Sequence, residues 1–398
     1  MLNVEEAVEQ ILSRIHPLGT ERVDVMTALG RALAEPITSR RQIPPWANSS
    51  MDGYALRAVD VGATPLTVVG KITAGAMPDR AVGRGETMRI FTGAPLPDGA
   101  DAVVPQENVD VDGDRIVVRG PVEPGAYVRP AGEDVQPGDT VLEPGQEIGA
   151  AEIGLLATLG VSQVSVGRRP RVAVLSTGNE LADLGVEPGP GQIPNSNTYA
   201  LMAQVLETGA EPVNLGVAAD QMEDIEARVR AGLTADMLLT SAGVSVGELD
   251  LVKDALTRSG AELHLWRVSM RPGKPITFGS AGTRPVFGLP GNPVSAMVTF
   301  ELFVRPALRK MAGHRRIDRV RIKATALARI PNPGARRGYL RVMLTPSNGG
   351  YGARLTGDQG SGILRSMVLA DGLAVVPGDT VINAGEPVEV IVLRGLGR

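Results

Sequence analysis

The sequence contains no cysteine. Disulfides, thiolate metal sites and cysteine nucleophiles are therefore excluded. Its three histidines, His16, His264 and His314, are too scattered to resemble a zinc set. Aromatic residues make up only 3% of the chain, so the cores must be built from Val, Leu, Ile and Ala, which the 43% hydrophobic content allows. No apolar run approaches the roughly 20 residues that span a bilayer. The first residues, MLNVEEAVEQ, lack the apolar stretch of a signal peptide. A soluble cytoplasmic protein without membrane contact is expected. The net charge of −4 gives no general affinity for nucleic acid. Neither a GxxxxGK[ST] phosphate loop nor a GxGxxG turn after a strand occurs.

Glycine and proline are plentiful, 49 and 30 in 398 residues, which implies many turns and short strands. Val4 to Ile15 carries apolar residues at helical spacing. The segment IPPWANSSMDGYA follows, where residues 48–53 look too polar for core and Trp46 and Met51 are expected to anchor the loop. From Leu66 to Asp139, short strands alternate with Gly, Pro and Asp turns, the pattern of a small β-rich lobe. Thr92-Gly93 interrupts it as a ligand contact or a simple turn hydroxyl. From Arg171 to Met311, strands alternate with helices, which implies a parallel, doubly wound sheet. Past Gly313 the chain returns to β structure in a small separate domain that holds the polar loop Gln359 to Gly362.

The stretch DMLLTSAGVSVGELD, Asp236 to Asp250, organises the rest. A buried strand runs into small residues, including Ser241, Gly243, Ser245 and Gly247, and then into a helix start. Such a turn lets an anionic ligand reach backbone N–H groups. Asp250 repels a bare anion, and a bridging metal ion would resolve the conflict. The plainer alternative is a crossover turn with helix-capping acids. Two more loops fall at strand ends on the same predicted edge, Thr177-Gly178-Asn179-Glu180 and Pro290-Gly291-Asn292-Pro293, the latter with Asn292 as helix cap. Between the last strands, Arg271 and Lys274 are held by prolines, including Pro275, an arrangement suited to an oxyanion or to an exposed basic turn.

Six segments, IPPWANSSMDGYA, IFTGAPLP, VLSTGNEL, TSAGVSVGELD, RPGKP and GLPGNPVSA, occur in an order and spacing that closely resemble the molybdopterin molybdenumtransferase family, which includes MoeA and the gephyrin E domain. The resemblance covers essentially the whole chain. It implies a multidomain α/β fold: a split linker domain (21–45 and 140–168), a β-rich lobe (46–139), a doubly wound molybdopterin-binding α/β domain (1–20 and 169–314) and a C-terminal β-barrel-like domain (318–398). It also implies insertion of molybdenum from molybdate into adenylylated molybdopterin, with Mg²⁺ and release of AMP, in a homodimer with shared sites.

Carried over by position, the resemblance makes Asp52, Thr92, Glu180 and Asp250 catalytic. Asp52 and Thr92 would reach the site from the partner subunit, and Asp250 and Glu180 would hold the metal. Thr177, Gly178, Ser241, Gly243, Ser245, Gly247, Pro290, Gly291 and Asn292 would line the substrate. Arg271, Lys274, Pro275 and Ser295 would form the molybdate pocket. Three positions depart from the common pattern: Ala47 replaces Asp, Ala242 replaces Gly and Arg271 stands where Lys is frequent. A positive φ at Ala242 would cost ~1 kcal/mol. Two competing readings are a related molybdopterin adenylyltransferase, a family that is essentially the α/β domain alone, and a non-enzymatic gephyrin-like scaffold. The flanking lobes argue against the first, and retention of Asp52, Glu180 and Asp250 argues against the second.

Overall fold

The structure is a computed structural model that describes residues 1–242, 251–347 and 349–395, with the side chains of residues 265 and 266 left aside. The chain divides into two compact units, one of residues 35–143 and 154–161, the other of residues 1–34, 144–153 and 162–398.

The smaller unit is built on a six-stranded sheet. Its strands are β1 (Gly53–Leu56), β2 (Leu66–Ile72), β3 (Glu86–Ile90), β4 (Ala102–Pro105), β5 (Val109–Asp112) and β6 (Arg115–Val118), in the order β4-β1-β3-β2-β6-β5. The two faces bury separate apolar clusters, one around Tyr54, Leu56 and Val104, the other around Met88, Ile90 and Val103. The loop before β1 corrects the sequence reading. Asn48 and Ser49 are buried, at 6% and 0% exposure, whereas Trp46 and Met51 are exposed at 43% and 39%. Local hydrogen bonding makes this possible. Asn48-Ser49 pairs with Val128-Arg129, the Ser49 hydroxyl donates to Met51 O at 2.6 Å and the Asn48 amide donates to Trp46 O at 3.3 Å. Ser49 and the Asn48 amide have partners, Asn48 Oδ1 is buried without one, and the large apolar side chains are left outside.

In the larger unit, Asn3 caps helix α1 (Val4–Leu12) with a reciprocal capping box to Glu6. Val4, Ala7 and Ile11 form its buried stripe. The α/β layer follows as β7 (Arg171–Thr177), α2 (Ser196–Glu207), β8 (Glu211–Ala218), α3 (Met222–Gly232), β9 (Met237–Ser241), α4 (Leu251–Arg258), β10 (Glu262–Arg267), β11 (Pro275–Ala281) and β12 (Arg284–Leu289). The strand order is β8-β7-β9-β12-β11-β10. Strand β9 is buried throughout, as expected for a central strand covered on both faces. Helices α3 and α4 cover one face. The other is covered by α1, α2 and the helical run α5 (Pro293–Thr299), a π-turn over Phe300–Val304, and α6 (Arg305–Met311).

The sheet is mixed rather than parallel. Strands β8, β7, β9 and β12 are parallel, but β11 runs antiparallel to both β12 and β10. The reason is connection length: Ala281 pairs with Arg284, so only Gly282 and Thr283 lie between the strands, and a parallel crossover needs a dozen residues or more.

The C-terminal part closes into a five-stranded barrel, β13 (Arg321–Ala326), β14 (Arg337–Ser347), β15 (Gly350–Leu355), β16 (Gly372–Val376) and β17 (Pro387–Val392), in the order β14-β15-β13-β17-β16 with β14 also pairing β16. The short strand Met270–Arg271 adds to β14 in parallel, which joins the barrel to the loop before β11.

Candidate functional site

Three parallel strands deliver their loops to one edge of the α/β sheet. Ser176 of β7 is in register with Ser241 of β9, and Ser241 with Leu289 of β12. Thr177 therefore ends beside Ser241, and Ser241 beside the Pro290-Gly291-Asn292 loop. Asn197, in the first turn of α2, ties two of these ends together: its amide donates to Ser241 Oγ at 2.8 Å and to Gly291 O at 2.7 Å. Sequence reasoning missed Asn197. Its only local signal is its place just after the Asn195 cap of α2.

Gly178 has a φ of +136°, and a Cβ there would come within 2.3 Å of Glu180 Oε2. Glycine is thus required for the Glu180 carboxylate to fold back over the loop. That carboxylate makes no hydrogen bond or ion pair among the described residues. Asn179 and Asp220 lock the loop by exchanging two backbone-to-side-chain bonds, each of 3.2 Å. Ala242 has a φ of +72°, the left-handed conformation in which a methyl is strained. Asn292 occupies the N-cap position of α5 and Pro293 the first turn, but the Asn292 side chain makes no capping bond and is exposed, contrary to the expected cap. Its amide is left for another partner. Gly243, Ser245, Gly247 and Asp250 lie outside the described residues.

The basic turn borders the same helix. Gly273 has a φ of +100°, and a Cβ there would come within 2.5 Å of Thr299 Cγ2 on α5, one turn beyond the buried Ser295. Lys274 is exposed and Pro275 opens β11. Arg271 Nη1 donates to Pro333 O at 3.2 Å. The barrel reaches this place too, since Val294 N donates to Ser361 O at 3.1 Å.

Behind the barrel loop stands Arg341, fully buried on β14. Its Nε donates to Ser366 Oγ at 3.0 Å and its Nη2 to Gly360 O at 3.1 Å, while Nη1 is buried without a partner. Burial pushes its pKa down to about 10, Asp358 opposes the fall and the neighbouring Arg271 guanidinium adds to it. Arg341 also escaped the sequence reading. The signal available was a lone charge in the apolar stretch Tyr339 to Leu344, where an unpaired charge is costly.

Asp52 and Thr92 come together in the smaller unit. Asp52 Oδ1 accepts from both the Thr92 N–H and the Thr92 hydroxyl, each at 2.8 Å. The Thr92 N–H, then its hydroxyl, and the Arg89 charge hold the Asp52 carboxyl below its usual range. Arg89 itself lies over the Tyr54 and Phe91 rings.

The chain matches three family models. Residues 2–160 match the MoeA N-terminal region (domain I and II), residues 173–310 a probable molybdopterin binding domain, and residues 323–393 the MoeA C-terminal region (domain IV). It is 40% identical over 387 residues to a molybdopterin molybdenumtransferase of Nostoc sp., covering 94% of this chain and 89% of that protein. It is 37% identical over 403 residues to molybdopterin molybdenumtransferase 2 of Mycobacterium tuberculosis, covering 98% and 99%. Among solved structures, a molybdopterin biosynthesis moeA protein from Pyrococcus horikoshii superposes with a TM-score of 0.85 at 31% identity, over 99% of this chain and 100% of that one. With three regional models in order and relatives matched along nearly their full length, the chain belongs to the MoeA family of molybdopterin molybdenumtransferases.

Proposed function

We propose that this protein inserts molybdenum from molybdate into adenylylated molybdopterin, with Mg²⁺ and release of AMP. The observation that carries the reading is the meeting of two kinds of site at helix α5. Small-residue loops and the unpaired Glu180 carboxylate lie at the sheet edge where α5 begins. The cations Arg271 and Lys274, with Ser295 and the buried Arg341, border the same helix from the barrel side.

Each group has a task suited to its chemistry. Thr177, Gly178, Ser241 and Pro290 to Asn292 let a phosphate approach the backbone closely. Arg271, Lys274 and the unpaired Arg341 Nη1 would hold the molybdate dianion, with Ser295 and Pro275 shaping the pocket. The donors near Glu180 are carboxylate and hydroxyl oxygens, which suit a hard cation. By its match to the family motif, Asp250, outside the described residues, would be the further ligand. When bound, Mg²⁺ would neutralise charge on the phosphoanhydride. Asp52, kept ionised by Thr92, would orient a proton or a hydrated group at the reacting end. The dithiolene sulfurs belong to the substrate, so the absence of cysteine is no obstacle.

The same reading makes the protein a cytoplasmic homodimer of four-domain subunits, with Asp52 and Thr92 of one subunit completing the site of the other. Among the described residues no helix is long and apolar enough to cross a membrane. The test is incubation of the purified protein with adenylylated molybdopterin, molybdate and Mg²⁺. AMP release matched by molybdenum in the pterin product is expected. AMP release indifferent to molybdate would overturn the proposal.

A further inference from the structure

The helical run that starts at Asn292 on the sheet's ligand edge ends at Met311, roughly 28 Å away at about 1.5 Å per residue. Its far end carries a second group of cations. Arg305, Arg309 and His314 face the segment Gly145 to Glu147 across a cavity of about 410 Å³, which Arg315 and Arg316 also line. Arg315 has an interaction of its own, and Arg305, Arg309 and Arg316 stand there with three carboxylates, Glu147, Glu152 and Asp318.

The carboxylates do not use up the donors. Glu152 is engaged elsewhere, accepting from Gly149 N at 2.9 Å and Gln146 Nε2 at 3.2 Å. Asp318 is exposed. Glu147, half exposed, takes one bond from Arg309 Nη2 at 2.6 Å. Arg305 is nearly buried, and its Nε has no hydrogen-bond partner. The closest acid oxygen, Glu301 Oε2, is 3.9 Å away and already accepts from Arg319 Nε at 2.9 Å. Arg305 Nη1 donates to Ile317 O at 3.1 Å, and its Nε is itself buried. His314 offers a further donor. Its Nδ1 stands 3.1 Å from Arg309 Nη2, and a guanidinium can only donate, so Nδ1 accepts and the ring proton sits on Nε2. That Nε2–H has no partner among the described residues. Burial, helped by Arg309, pushes the His314 pKa down to about 4, so the ring is neutral in this tautomer at neutral pH.

We propose that this cavity binds a tetrahedral oxyanion of the phosphate, sulfate or molybdate type, held by His314 Nε2 and the Arg305–Arg309 guanidiniums with Arg316 at the rim. Such an ion accepts several charge-assisted bonds at once and is small enough for the space. The site is separate from the Lys274 pocket, and it does not depend on the function proposed above.

The test is calorimetric titration of the full-length protein with phosphate, sulfate and molybdate in turn, in a Lys274→Ala background that weakens the other pocket. Saturable binding of one ion per chain is expected. His314→Leu removes the donor and should weaken binding at least tenfold, whereas His314→Gln, which keeps an amide donor, should stay within about threefold. If the core variants fail to fold, Arg316→Glu at the exposed rim should weaken binding to a similar degree. The ion bound most tightly identifies the source, general cellular anion or the substrate oxyanion. Loss of all binding in Lys274→Ala alone, non-saturating uptake, or affinity in His314→Leu and Arg316→Glu unchanged from the Lys274→Ala background would each overturn the proposal.

Discussion

Replacing Arg341 by methionine separates what the fold needs from what the site needs. Arg341 is fully buried on β14 and makes two side-chain bonds, to Ser366 Oγ and Gly360 O. Bonds from a charged donor contribute about 1.5–3 kcal/mol each, so the pair offers about 3–6 kcal/mol. Against this stand two costs. The fall of its pKa from 12.5 to about 10 disfavours the charged form by roughly 3 kcal/mol. The stranded Nη1 adds about 1–3 kcal/mol. The two sides nearly cancel. Methionine fills a similar volume, and burial of its side chain contributes about 1.5–3 kcal/mol. The substitution leaves Gly360 O without its guanidinium, but Ser366 Oγ keeps its bond to Ile363 O at 2.7 Å. Stability of Arg341→Met, followed by urea unfolding of the larger unit, should therefore change by no more than about 2 kcal/mol in either direction. Molybdate use should change far more. Loss of one cation facing a dianion, at about 1.5–3 kcal/mol, raises the molybdate needed for half-maximal AMP release by roughly 10–150-fold. A loss of more than about 4 kcal/mol in stability would make Arg341 a structural ion. An unchanged molybdate response in a well-folded variant would remove it from the anion pocket.

Lys274→Ala should raise the half-saturating molybdate concentration while leaving nucleotide affinity nearly unchanged, because an exposed point charge is removed without disturbing the α5 turn; weaker AMP binding with an unchanged molybdate response would move Lys274 to the phosphate site. Thr92→Val deletes one of the two Thr92 bonds to Asp52 but keeps the larger contribution, the backbone N–H. The Asp52 carboxyl is depressed in the folded protein, so its ionised form is lost as pH falls through that lowered value, and the acid limb of the activity profile should move up part of the way toward the ordinary carboxylate range. A limb that does not move would show that Asp52 is not the group titrating. Ala242→Gly relieves a φ of +72° at about 1–2 kcal/mol and loosens the unfolded chain by about 0.5–1 kcal/mol, so a small gain in stability is expected in a thermal melt, and a loss would mean that the methyl is held by packing.

Most of the architecture was legible because it is written in periodicity. The spacing of Val4, Ala7 and Ile11 and the all-apolar core of β7 leave little choice of element. The mixed sheet was not legible, because strand direction depends on the length of one connection, and Gly282-Thr283 carries no apolar signal of its own. The loops of the candidate site were legible where motifs are local, at Thr177 to Glu180, Pro290 to Asn292 and Arg271 to Pro275. It was obscure where a residue acts through contacts distant in sequence. Asn197 joins Ser241 to Gly291 across 44 and 94 positions, and Arg341 enters the region only because Met270–Arg271 pairs with β14. Burial in the loop before β1 also ran against composition, because hydrogen bonding outweighed polarity at Asn48 and Ser49.

The claim that most depends on both units is that Asp52 and Glu180 serve one site built from two subunits. Homodimers of Asp52→Ala and of Glu180→Ala should each be nearly inactive. After verified subunit exchange in an equal mixture, half of the dimers are mixed, and each keeps one site with both acids. Activity should then recover to about a quarter of the unaltered protein's, for two independent sites per symmetric dimer. A mixture that exchanges subunits and stays as inactive as its parents would contradict the shared site and place both acids within one chain.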